Sequence, residues 1–158
     1  MITEAIILAG GLGTRLRSAV PDLPKCMAPV AGKPFIAYVI EYYQQQDINR
    51  FIFSLGYKHE VIEEFLQLSY PGLNYVPVIE DEPLGTGGAI LKACDAVQGK
   101  NVIVLNGDTF FKIDVSSLAG FHEQHEADCT LALKPMTQSD RYGVVEISQQ
   151  QQVISFKE

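Results

Sequence analysis

The sequence is poor in the features that mark a secreted, membrane-bound or nucleic-acid-binding protein. Its three cysteines, Cys26, Cys94 and Cys129, are odd in number, widely spaced and form no C-x-x-C pair. That pattern fits a reducing compartment and an apolar, unbridged role. The opening residues carry an acidic Glu4 and too short an apolar stretch for a signal peptide, and no window approaches a membrane span. Basic residues are in deficit, with 12 Lys and Arg against 19 Asp and Glu, a formal net charge of −7. Such a chain lacks the basic face that non-specific nucleic-acid binding needs, so neither nucleic acid nor membrane is expected as a partner, and a cytoplasmic location is the default. Several catalytic signatures are missing too. His122-Glu123-Gln124-His125 spaces its histidines three apart, not the four of H-E-x-x-H, and reads as a solvent-facing helical pair. No Ser-His-Asp arrangement is visible. Cys26 stands beside Lys25, but nothing supplies the histidine of a nucleophile pair, so it reads as packing.

What is there is an ordinary globular balance, 47% hydrophobic and 20% charged over 158 residues, with no internal repeat. One domain over residues 1–158 is the simplest organisation. The chain is organised around Ile2 to Leu16. Ala5 to Leu8 is an unbroken apolar run, long enough for a strand buried on both faces. It stops at Gly10-Gly11-Leu12-Gly13, where positive φ and close approach to a ligand are open to the backbone. Thr14 and Arg15 follow at once, and Lys25 comes ten residues later, with Lys33 beyond it. A buried strand ending in a glycine turn with cations close by is a phosphate site in outline. A protein this acidic needs such local cations, or a metal, to hold a polyphosphate. Neither familiar phosphate loop fits the spacing. A Walker A frame from Gly10 meets Arg15 where it needs Gly, and a dinucleotide fingerprint from Gly11 meets Leu16.

Further along, Pro21, Pro24 and Pro29 mark an irregular segment, with at most a short strand over Met27–Val30. Pro34 suits the first position of a helix running from Phe35 to about Gln46. Arg50 to Leu55 is a second buried strand, and Lys58 to Leu68 an amphipathic helix with Val61, Ile62, Phe65 and Leu66 on one stripe. Leu73 to Ile79 is a third strand, which Pro77 places near an edge or bulge. Thr86 can cap a helix that carries Ile90, Leu91, Cys94 and Val97 inward. Val102 to Leu105 is a fourth buried strand, followed by a short helix with Leu118 and Phe121 inward. This alternation predicts an α/β fold, an open sheet with helices on both faces. After Asp128 three strand-like runs follow without helices: Cys129–Leu133, Val144–Ile147 and Val153–Phe156, with Gln149 to Gln152 as a hairpin loop. They predict an antiparallel extension toward the C-terminus.

In an open parallel sheet, ligands sit beyond the carboxyl ends of the strands. The turns at Gly10–Arg15 and Asn106–Asp108 both follow buried strands and can converge on one crevice. Asp108 is then a candidate Mg²⁺ ligand, since Mg²⁺ is usually held by one or two carboxylates plus substrate phosphates; the plainer reading is an Asn-Gly-Asp turn without a ligand. Glu80-Asp81-Glu82-Pro83-Leu84-Gly85-Thr86-Gly87-Gly88-Ala89 reads either as a flexible entry to a helix or as a clamp on a base and ribose. A carboxylate there can accept from guanine N1–H and the 2-amino group, whereas thymine or uracil presents an unmatched carbonyl. Glu80 is the best placed of the acids, which favours GTP over dTTP or UTP.

The set G-G-x-G-T-R-L, P-K, E-P-L-G-T-G-G-A, L-N-G-D and Arg141 to Glu146 (R-Y-G-V-V-E) resembles the sugar-1-phosphate nucleotidylyltransferases. Within them it looks most like the D-glycero-D-manno-heptose 1-phosphate guanylyltransferases, with mannose-1-phosphate guanylyltransferases close behind. The resemblance implies a Rossmann-like open mixed sheet of the nucleotide-diphospho-sugar transferase type. It implies transfer of a nucleotidyl group from an NTP, GTP favoured, to a sugar 1-phosphate, with Mg²⁺ as cofactor. The attacking phosphate oxygen is already ionised at neutral pH, so the work is alignment and charge neutralisation. Catalysis then falls to Arg15 on the triphosphate, Lys25 on the α-phosphate and Asp108 on the metal. The nucleotide site is placed at Leu8, Gly10, Gly11, Gly13, Thr14, Glu80, Gly85 and Thr86. The sugar site is placed at Asn106, Tyr142, Gly143 and Glu158. The Lys that follows Glu158 in the family pattern, and a later metal-binding Asp, lie beyond residue 158. The chain is therefore expected to be the N-terminal part of a longer protein, able to hold nucleotide but poor in turnover. A non-catalytic nucleotide-sugar-binding paralogue and a purely structural α/β module remain as rivals, and the assembly state, a homo-oligomer included, is left open.

Overall fold

The apolar runs of the first half line up side by side. In the computed structural model, which describes residues 1–11, 22–135 and 143–157, the chain divides into two compact units, Met1–Ala119 and Gly120–Glu158. The first unit is built on four parallel strands: β1 (Glu4–Ala9), β4 (Arg50–Leu55), β5 (Tyr75–Ile79) and β6 (Ile103–Asn106), ordered β5-β4-β1-β6. Ile6 lies opposite Ile52 on one side and Val104 on the other. A two-residue hairpin, β2 (Pro29–Val30) with β3 (Lys33–Pro34), leads into α1 (Phe35–Gln44). Pro34 is extended, at ψ 141°, and stands just before the helix instead of in its first position.

The central strands β1 and β4 are buried on both faces, as their continuous apolar runs predicted. One face carries Ala5, Ile7, Phe51 and Phe53 against Ile36 and Ile40 of α1, Ile62 and Leu66 of α2 (His59–Ser69), and Val115 and Ala119 of α4 (Val115–Gln124). The other carries Ile6 and Ile52 against Ala93 of α3 (Gly85–Cys94). Helices therefore cover both faces, and β5 with Pro77 lies at an edge of the sheet.

Three further details of the packing differ from the sequence reading. In α3 the inward residues are Ala89 and Ala93, four apart, whereas Leu91 is 74% exposed and Cys94 is exposed; only Val97, beyond the helix, packs on that cluster as anticipated. Alanines let a helix backbone approach the sheet closely, so the stripe was set by smallness where hydrophobicity alone pointed elsewhere. The strand β6 is only half buried, with Ile103 and Leu105 in the core and Val104 39% exposed, because it lies at the sheet's edge while α3 packs over β1 and β4. The run Cys129–Leu133 forms no strand, since an alternating apolar run stays irregular without a partner to complete its hydrogen bonds.

In the second unit β7 (Val144–Ile147) and β8 (Val153–Lys157) pair antiparallel around the Gln149–Gln152 turn, as expected. There the ring of His122 meets Thr130 Oγ1 at 2.9 Å, and His125 stacks on Phe121. Among the described residues no helix is long and apolar enough to cross a membrane.

Candidate active site

The strand order places a switch point beside β1. The chain runs outward from β1 to β4 and β5, then returns to β6 on β1's other side, so the carboxyl ends of β1 and β6 diverge into a crevice. Two backbone bonds fix its rim: the Gly107 N–H donates to Leu8 O at 2.9 Å, and the Glu80 N–H donates to Leu55 O at 2.7 Å. The result is a cleft of about 640 Å³ whose walls include Leu8, Gly10, Gly11, Lys25, Glu80, Gly85, Thr86, Asn106 and Asp108. Nine residues named from sequence are thus brought together by the ends of β1, β5 and β6, the turn at Lys25 and the start of α3. Gly13, Thr14, Arg15, Tyr142 and Glu158 lie outside the described residues. Gly143 belongs to the second unit, where a Cβ would come within 2.6 Å of the Phe156 ring.

Lys25 stands at the start of a short 3-10 turn, and its Nζ donates to Asp108 Oδ2 at 2.5 Å. A cation and an anion from segments 83 residues apart therefore face each other at one point of the cleft. The segment after Asp108 is braced by α1, whose Tyr42 and Tyr43 hydroxyls donate to the carbonyls of Ile113 and Phe111 at 3.0 and 3.1 Å. Burial, with Tyr42 alongside, pushes the Tyr43 phenol up to about 12, so it stays a donor at neutral pH. Cys26, next to Lys25, is buried; desolvation, reinforced by the Asp108 carboxylate, pushes its thiol up to about 12. It is an inert packing residue, as read from the sequence. Lys33 does not join this group: it pairs with Glu41 of α1 and lies over the Tyr38 ring.

Glu80, directly after β5, lines the same cleft. Its Oε1 accepts from the Ser54 hydroxyl at 2.8 Å and its Oε2 from the Leu84 N–H at 3.2 Å. That second bond closes the Glu80–Leu84 loop and starts α3 at Gly85, whose φ of +67° suits glycine. Thr86 consequently sits inside the first turn; Leu84 holds the cap position and makes no side-chain cap bond. Gly10 is required for room, not for positive φ. A Cβ there would lie 2.7 Å from Glu80 Oε1, and Gly10 O in turn lies 2.8 Å from where a Cβ on Gly56 would stand. On the expectation from sequence that Glu80 contacts a purine base, Gly10→Ala is expected to push the carboxylate aside and weaken purine nucleotide binding about tenfold while the chain stays folded. Calorimetric titration beside a thermal melt measures both.

The sequence reading missed Ser54, the fully buried serine of the otherwise apolar run after Arg50. A lone hydroxyl in such a strand was the available signal, because a buried hydroxyl needs a partner. For a divalent ion the donor set is modest. Among the described residues no group of three His, Cys, Asp or Glu side chains converges. One cleft carboxylate, Asp108, fits a Mg²⁺ ion that takes its remaining ligands from water and phosphate.

Comparison with known proteins agrees with this geometry. The chain is 51% identical over 155 residues to D-glycero-alpha-D-manno-heptose 1-phosphate guanylyltransferase of Aneurinibacillus thermoaerophilus, covering 98% of this chain and 67% of that one. It is 48% identical to the protein of the same name in Campylobacter jejuni, covering 98% and 68%. A crystal structure of HddC from Yersinia pseudotuberculosis complexed with GMP-PN superposes with a TM-score of 0.80 at 35% identity, over 99% of this chain and 69% of that one. These neighbours have the nucleotide-diphospho-sugar transferase fold expected from the sequence. With residues 4–158 matched to the Nucleotidyl transferase family, and a parallel sheet that opens its cleft at the switch point, the chain belongs to that family.

Proposed function

We propose that the cleft takes GTP and a sugar 1-phosphate, with D-glycero-D-manno-heptose 1-phosphate the favoured acceptor, and forms the GDP-sugar and pyrophosphate. The observation that carries this is the cleft itself, lined both by the Glu80 carboxylate and by a Lys–Asp pair. Glu80 faces a base through oxygens that accept two neighbouring N–H groups, the pattern of guanine. Lys25 supplies a positive charge to the α-phosphate, where charge builds during transfer. Arg15 serves the β- and γ-phosphates, and Thr14, Gly11 and Gly13 border them; Asn106, Tyr142, Gly143 and Glu158 serve the sugar. Asp108 would hold Mg²⁺, which neutralises phosphate charge when bound. In this reading Lys25 and Asp108 exchange each other for phosphate and metal. No general base is needed, since the acceptor phosphate is already ionised. The three unbridged cysteines and the use of GTP fit a cytoplasmic setting.

Titration of the chain with GTP, UTP, dTTP and CTP in Mg²⁺ tests the nucleotide. GTP is expected to bind at least tenfold tighter than UTP, and saturating GTP to raise the melting temperature by several degrees. Pyrophosphate release with a panel of sugar 1-phosphates then tests the acceptor. Equal affinity for UTP and GTP would remove the role given to Glu80, and no binding of any nucleotide would remove the whole reading.

A further inference from the structure

Ser54 is, with Glu4, one of two buried polar side chains among the described residues, and the proposed chemistry uses neither. Ser54 is fully buried on the α3 side of the sheet, level with Leu8 and Val78 on the neighbouring strands. Alanine or valine would fill such a place without any polar atom to satisfy, so the hydroxyl is there for its bond to Glu80 Oε1. Each oxygen of a carboxylate offers two lone-pair directions. Ser54 takes one on Oε1, and the Leu84 N–H takes one on Oε2. One direction on each oxygen is left, and the space between Gly10 and Oε1 is too small even for a Cβ, so the carboxylate has little room to move on that side.

Resting on the GTP reading above, we propose that Ser54 is a positioning residue for base selection: it holds Glu80 so that its two free lone pairs lie side by side, matching two adjacent N–H donors. Guanine presents that pair as N1–H and the 2-amino group. Hypoxanthine presents N1–H alone, and a single donor can be met by a carboxylate in many orientations. A fixed carboxylate therefore separates GTP from ITP, and a loose one separates them less.

The test is the dissociation constant of the whole chain for GTP and for ITP, with Mg²⁺, before and after substitution. The unsubstituted chain is expected to prefer GTP about tenfold, the worth of one good hydrogen bond. Ser54→Ala is expected to weaken GTP about five- to tenfold and ITP less than twofold, so that the preference nearly disappears. A loss shared equally by both nucleotides would show that Ser54 only supports the fold, and an unchanged GTP constant would show that Glu80 needs no help; either overturns the inference. Should Ser54→Ala fail to fold, Ser54→Cys, close in size and a weak donor, is read by the same ratio. Glu80→Gln separates this inference from the reading beneath it. If it erases the GTP preference while Ser54→Ala does not, only the role of Ser54 is lost. If Glu80→Gln leaves the preference intact, guanine is read elsewhere and both fall.

Discussion

Lys25→Ala is expected to lower kcat for GDP-sugar formation by about a hundred- to a thousandfold, the usual cost of removing one preorganised charge from a transition state that develops negative charge. Asp108→Asn is expected to lose a similar factor and, in addition, the Mg²⁺ dependence of GTP affinity. The two side chains are each about one-third exposed and bonded to one another at 2.5 Å. A pair that open to water contributes at most about 1 kcal/mol to folding. Neither substitution should therefore move the melting temperature by more than a few degrees, while both should abolish most turnover. Initial rates of pyrophosphate release, read beside a melt, separate the two effects. A Lys25→Ala protein that keeps its kcat would mean that the ammonium is only Asp108's partner and never the phosphate's.

The largest expected stability effect lies at the amino end of the sheet, where β1 begins. Glu4 opens β1 with a side chain only 6% exposed, and pairs with Arg50 at the start of β4. It also accepts from the backbone N–H groups of Gln98 and Gly99, beyond α3, while Arg50 donates as well to Ala96 O at 2.8 Å. One carboxylate thus ties β1, β4 and the α3–β6 connection together. Removing one partner of a buried pair leaves the other charge uncompensated, at a cost of about 3–5 kcal/mol. Glu4→Ala is expected to lose about that much in denaturant unfolding, a large share of the stability of an ordinary domain. Burial pushes the Glu4 carboxyl up, but the Gly99 N–H, the Arg50 guanidinium and the Gln98 N–H outweigh it, and the net effect is below the ordinary value of 4.5. A carboxyl held low in the folded state binds its proton more readily in the unfolded one. Its stabilisation is therefore complete above pH 4.5 and lost as pH falls below that value, through the folded-state titration. The unsubstituted chain should lose stability steeply over that acid range, and Glu4→Ala should show a shallower slope there.

Much of the candidate site could be read in the sequence because it sits where regular elements stop. The apolar run before Gly10, the run before Asn106 and the run before Glu80 each announce a strand, and the chemistry-bearing residues come directly after. Parallel strands deliver such ends to one edge by topology alone, so the turns that begin at Gly10 and at Asn106 could be expected to share a crevice without coordinates; Lys25, which stands on a short 3-10 turn and follows no strand of the sheet, could not be placed there by that rule. The glycine at position 10 was legible as necessary, but its reason was not: the obstacle is Glu80 Oε1, seventy residues away in sequence.

Local patterns along the chain account for the alternation of strands and helices, the doubly buried β1 and β4, and the cluster of residue types suited to a polyphosphate and a base. They do so because the period of apolar residues and the place of glycine and proline act within a few positions. The packing of distant segments settles that Ala89 and Ala93, not Leu91 and Cys94, face the sheet, that β6 is half covered, and that Cys129–Leu133 forms no strand. It alone joins Lys25 to Asp108, Glu4 to Arg50 and Ser54 to Glu80. Each of these depends on which distant segment lies alongside, and a hydrogen bond or a close packing between segments leaves no period in the chain that makes it.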